Sequence, residues 1–207
     1  MKKKPSNQPV LRPFARRRGV VLLWLILALP ALLFLLGMVV DVGRIWLARI
    51  ELTHALEAAA LSGVKSWAEA NTNSQSARTQ ARQDAIAAAG ANTVIGLDEN
   101  DPSAGVPLVL QANQNNSNAP NDNDSATGEL VLGAVNNNGA PFNFFAEVDP
   151  ETGSHFFAVQ TSKTVQVYSI WSNLFGAPLG PYQITSGSVA IYEGNEPRLA
   201  HVVPPAP

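Results

Sequence analysis

The side chains able to do chemistry are few and scattered. His54, His155 and His201 are the three histidines among 207 residues, and no two stand at a metal-ligand spacing such as His-Glu-x-x-His. Cysteine is absent, which excludes disulfides, thiolate metal sites and thiol nucleophiles. No Gly-x-Ser-x-Gly elbow, no phosphate-cradling Gly-rich loop with Lys and Ser/Thr, and no dinucleotide fingerprint occurs. Asp122, Asp124 and Glu129 offer oxygen donors for calcium, yet their spacing fits neither an EF-hand nor an Asp-x-Ser-x-Ser metal loop, and a solvated linker is expected there. The sequence therefore points to no catalytic residue, no metal, no cofactor and no small-molecule substrate.

Charge and hydropathy say more. The formal net charge of -2 hides a division. Lys2, Lys3, Lys4, Arg12, Arg16, Arg17 and Arg18 precede a long apolar run, and the remaining 7 basic residues face all 16 acidic ones after it. An acidic body repels phosphate backbones, so nucleic acid is not an expected partner. From Val20 to Val40 there is no charge, and at 1.5 Å per residue the run reaches roughly 31 Å as a helix, the thickness of a hydrocarbon core. The helical pattern continues through Asp41, Gly43, Arg44 and Trp46 without a small-x-small cleavage site, which favours a permanent anchor over a cleaved signal. The basic leader places the N-terminus in the cytoplasm and the body outside.

The expected architecture is α+β: one transmembrane helix continuing into a helical hairpin, then a small antiparallel β domain. The divisions are a basic leader (1–19), the span (20–42), a juxtamembrane hairpin (43–96), an Asn/Asp-rich loop region (97–128), the β domain (129–195) and a Pro-rich tail (196–207). Asp41 and Arg44, three apart, are expected to meet on one helical face; with Arg49 they are the candidate contacts for partners at the membrane boundary. Trp46 suits an interfacial anchor. Ala55, Ala59 and Gly63 recur every fourth residue, a small-residue seam on which a second helix can pack. That helix is expected from Ser76 to Ala89, with Ala77, Ala81, Ala85 and Ala88 as its stripe and Gly90 as its C-cap.

Strands are expected over 106–111, 129–135, 142–147, 156–168 and 182–192, with a flexible loop over 112–128. One sheet face, carrying Val159, Thr161, Lys163, Val165 and Val167, should cover the hairpin, with Ile184, Val189 and Ile191 alternating less strictly. The tail from Glu196, rich in proline, is expected to stay loose rather than pair as a strand.

Arg18-Gly19, Leu29-Pro30, Val40-Asp41-Val42-Gly43-Arg44, Ala48-Arg49 and Leu52-x-x-Ala55-Leu-Glu-Ala-Ala-Ala-Leu61-Ser-Gly63 together resemble the N-terminal segment of the TadE/TadG-like proteins of the Flp (tight adherence) pilus-assembly system. Farther on, Glu129-Leu-Val-Leu-Gly133, Ala158 to Val167, Trp171-x-x-Leu174-Phe175-Gly176 and Ser186-Gly-Ser-Val-Ala190 look like the strands and Phe-Gly turn of TadG-like ectodomains. The resemblance implies an accessory of pilus assembly or surface adhesion in the bacterial inner membrane, acting through other pilus-assembly proteins without a cofactor. Some relatives are processed after a glycine and carry a glutamate five positions on; here Gly19 is followed at that position by Trp24, so the leader is expected to remain. The alternative is a membrane-tethered module binding envelope polysaccharide or another ligand through Trp171, Tyr168 and Tyr182.

Overall fold

The computed structural model describes residues 18–115, 120–136, 142–171 and 180–200. The apolar run is helical throughout, as part of α1 (Arg18–Glu69). Pro30 lies inside it; with no hydrogen on its ring nitrogen, it frees the carbonyl of Ile26 one turn earlier. The large apolar side chains of this run are open, from Val40 at 45% to Val39 at 69%. The helix is long and apolar enough to cross a membrane.

The chain divides into two compact units, Met1–Val40 and Asp41–Pro207, and the second holds the core. There α1 ends at Glu69, and Asn71 turns the chain with a φ of 49°, which a short polar side chain tolerates. Ser74 caps α2 (Gln75–Gly90), accepting from the Ala77 N–H at 3.3 Å. Ala77, Ala81, Ala85 and Ala89 are buried on α2; the stripe ends on Ala89 rather than Ala88. Gly90 is not the cap. The helix includes it, Ala91 follows with a right-handed φ of −73°, and the Asn92 side chain donates to the Ala88 carbonyl at 2.8 Å. An amide thus does the work expected of a left-handed glycine.

A small antiparallel pair follows, β1 (Thr93–Ile95) and β2 (Gly105–Pro107). The strand expected over 106–111 stops at Pro107; one more bond follows, from the Leu108 N–H to the Asn92 carbonyl at 3.1 Å, and Leu108 and Leu110 remain buried and Val109 exposed. The main sheet has the order β4-β3-β5-β6-β7, with β3 (Leu130–Asn136), β4 (Phe144–Phe145), β5 (His155–Val167), β6 (Tyr182–Glu193) and β7 (Glu196–Leu199). All its pairs are antiparallel, so the class is α+β.

Alternation along the strands sorts the side chains onto two faces. Leu130, Leu132, Val159, Val165, Val167 and Ile184 join Leu52, Leu56, Val64 and Trp67 of α1 and the α2 alanines in one cluster. Thr161, in the same row, donates to the Leu56 carbonyl at 3.0 Å, and Trp67 meets Phe157 edge to face at 5.0 Å. The other face carries Val135, Phe142, Ala158 and Ile191. Ile191 and Ile184 lie an odd number of residues apart in an unbroken register, so they point to opposite sides.

Two further expectations are corrected. The start of the tail is a strand: β7 pairs with the end of β6. Gly194 and Asn195, with φ of 61° and 75°, make the two-residue turn whose twist suits a hairpin. The Ala200 N–H bonds the Val189 carbonyl at 2.8 Å, so alternate residues Arg198 and Glu196 also face β6. Pro197 falls between them, on the open edge, where a missing N–H costs no bond. The other correction concerns 112–128, within which Asn121 and Asp122 are packed at 0% exposed while Asp124 to Thr127 stay exposed. Asn123 donates to the carbonyls of Leu132 at 2.7 Å and Ala146 at 3.0 Å, and accepts from the Leu132 N–H at 3.1 Å. Side-chain amides here replace a neighbouring strand, and they end β4 by occupying the Ala146 carbonyl. The basic leader before Arg18, the Phe175-Gly176 turn and residues 201–207 lie outside the described residues.

Candidate functional site

The first turns of α1 in the second unit divide into an inward and an outward side. Asp41 is 7% exposed and accepts a hydrogen bond from the Ser169 hydroxyl, which itself accepts from the Trp171 N–H at 3.1 Å. Arg44 donates to the Pro102 carbonyl. The two residues therefore bind different loops rather than each other, Asp41 the segment after β5 and Arg44 the turn between β1 and β2. Asp41 Oδ1 and Arg44 Nη1 remain buried without a hydrogen-bond partner among the described residues. Beside Arg44's loop, the hydroxyl and N–H of Ser103 hold the exposed Asp101 carboxyl below its usual range.

Arg49 is on the outward side, exposed, together with Val42 at 65% and Trp46 at 68%. Residues 42, 46, 49 and 53 recur at helical spacing, so these side chains form one stripe. Two shallow grooves border it. One lies between α1 and β6, lined by Val42, Ile45, Trp46, Arg49 and Ile184; the other runs up α1 past Ile50, His54 and Glu57.

The seam residues Ala55, Ala59 and Gly63 are all buried. A Cβ on Gly63 would lie 3.1 Å from Ala85 Cβ and 3.3 Å from the Ala81 carbonyl oxygen, with Val159 at 3.5 Å. Only a hydrogen fits comfortably where α1, α2 and β5 converge.

A polar cluster on α2 was not foreseen. Arg78 bonds Asp122 Oδ2 through Nε at 2.9 Å and Nη2 at 2.8 Å. Arg82, 1% exposed, donates from Nη2 to the Asn121 carbonyl at 2.6 Å and to Asn123 Oδ1 at 3.0 Å. Burial pushes the Arg82 guanidinium down to about 10; Asp122 raises it and Arg78 lowers it. It stays charged at neutral pH. The readable signal was two arginines one turn apart beside an alanine stripe, with an Asp-bearing segment later in the chain. Asp122 is thus committed to Arg78, and Glu129 to Lys163 at 2.7 Å, so the three acidic residues do not converge. His155 Nδ1 lies 2.7 Å from the Thr152 carbonyl oxygen, and His54 stands on α1's exposed side. Trp171 and Tyr168 are half-buried and Tyr182 is 40% exposed.

No curated protein and no solved structure matches the chain. Residues 19–70, which comprise α1 from Gly19 onward with its closing turn, match the family model of the TadE/G-like Flp pilus-assembly domain.

Proposed function

We propose that the protein is a membrane-anchored accessory of Flp pilus assembly or surface adhesion that acts by binding other assembly proteins, not by catalysis. The anchor is Val20–Val40 in the bacterial inner membrane, with the basic leader cytoplasmic and the unit from Asp41 onward on the periplasmic side. One observation carries this reading: the family match covers the helix whose apolar side chains are exposed along a run long enough to cross a membrane. Arg49, with Trp46 beside it, offers the outward contact for a partner. Asp41 and Arg44 serve that contact by holding two loops against the helix, and Ala55, Ala59 and Gly63 pack α1 into the core. Protease added to spheroplasts is expected to digest the unit after Arg44 and leave a small membrane-protected fragment; protection of the whole chain would overturn the orientation. Co-purification of the tagged protein with pilus-assembly components tests the partner class.

A further inference from the structure

Among the described residues, the β6 edge of the main sheet is only half covered. β7 pairs with β6 over Ala190 to Glu193, and the Ala200 N–H reaches the Val189 carbonyl. Before Val189, β6 continues from Tyr182 to Ser188 with β5 on one side and, among the described residues, no strand on the other. Because Val189 faces β7, alternate residues Gly187, Thr185 and Gln183 face the same way. All three are exposed, and their outward N–H and C=O groups have no protein partner among the described residues. Natural sheets blunt such edges with charge, proline or a bulge. Here Tyr182-Gln-Ile-Thr-Ser-Gly-Ser188 has no charge and no proline, and the register with β5 is unbroken.

The edge borders the groove of about 410 Å³ whose walls are Val42, Ile45, Trp46 and Ile184, with Arg49 at its rim. Arg49 is exposed and has no ion pair among the described residues. We infer that residues 182–188 bind an extended segment of a partner protein as an added antiparallel strand, with an apolar side chain in the groove and a carboxylate two positions away against Arg49. Main-chain bonds to Gln183, Thr185 and Gly187 supply the affinity, and the groove and Arg49 supply the choice of sequence. The chain's own continuation is a poor occupant: in register with Ala200, Pro204 would fall opposite Thr185 and has no N–H to give. This inference goes beyond the assembly role, since it specifies the form of the ligand whatever the partner's identity.

The test uses the full chain in lipid nanodiscs and a fluorescein-labelled heptapeptide, Thr-Val-Thr-Val-Thr-Asp-Thr, with a second peptide carrying Lys in place of Asp. The Asp peptide should bind, and more tightly than the Lys peptide. Arg49→Glu, a change on an exposed side chain, should reverse that order. Thr185→Pro removes an outward N–H and no main-chain bond to β5, and Thr185→Val serves as the control that removes only the side-chain bond to Thr164 Oγ1 at 2.8 Å; relative to that control, Thr185→Pro should weaken the Asp peptide at least about tenfold at a similar melting temperature. Failure of the Asp peptide to bind would overturn the inference, because lipid or another occupant then holds the groove. Binding that appears only after deletion of residues 201–207 would overturn it in favour of the chain's own terminus. An unaltered peptide preference in Arg49→Glu would overturn it even where Thr185→Pro fails to fold.

Discussion

α2 has two different neighbours. Toward α1 it presents alanine, and the contact is so close that a methyl group on Gly63 would press on Ala85 and the Ala81 carbonyl. Toward the 3-10 turn Pro120–Asp122 it presents Arg78 and Arg82, whose long side chains reach the buried Asn121 and Asp122. Both contacts exclude water, but by opposite means. The first needs small, featureless surfaces that approach over several turns. The second needs each charge and amide to find its own partner, because a buried polar group left unpaired is costly. The apolar contact is therefore tolerant in chemistry and strict in volume, and the polar contact the reverse.

The largest expected effect comes from breaking the polar side. Asp122→Ala leaves the Arg78 and Arg82 charges without their carboxylate, and loss of one partner from a buried pair costs about 3–5 kcal/mol. The urea midpoint of the full chain in detergent should fall accordingly, and adding Arg78→Met should return part of the loss. A midpoint unchanged by Asp122→Ala would show that the turn is held by amides alone.

Overpacking the apolar side comes next. Ala59 is 0% exposed, and Ala59→Leu forces a larger side chain into the seam at a cost of about 1–3 kcal/mol. Stability at the wild-type level would mean that the helices separate freely and that volume does not govern this contact. The smallest effect belongs to a pair that only looks like the buried one: Lys163 and Glu129 meet at 2.7 Å, yet their side chains are 18% and 29% exposed. Lys163→Ala should cost under about 1 kcal/mol, and less in high salt. A loss as large as that of Asp122→Ala would erase the distinction between buried and rim charges.

The same contrast explains what was legible in the sequence. The apolar run of α1 announces itself by its length without charge, and the alanine stripe of α2 and the long strands β5 and β6 by period, because one face of each of these is buried against a continuous surface. Asn121, Asp122 and Asn123 have no period. Each is held by a carbonyl or guanidinium that composition does not reveal, so a packed segment reads as a loose one. β7 was hidden differently: Gly194-Asn195 is a recognisable hairpin turn, but Pro197 argued against a strand, and only the register shows that its nitrogen faces outward. Of the candidate residues, the burial of Ala55, Ala59 and Gly63 follows from their spacing. That Asp41 and Arg44 turn inward while Arg49 turns outward depends on Ser169 and Pro102, which lie far away in sequence.

That remoteness has a consequence in time. The hydroxyl that bonds the Leu56 carbonyl belongs to Thr161, 105 residues later, and the one that meets Thr53 belongs to Ser186, 133 residues later. At synthesis rates of about 5–20 residues per second, Leu56 emerges roughly 5–20 s before Thr161 exists. During that interval the alanine face of α1 has no sheet to lie on. The growing chain must therefore be kept from misassociating until its last strands arrive, so a chain that ended before β6 would lack Ile184 and Ala190 of the core and the hydroxyl of Ser186 that meets Thr53.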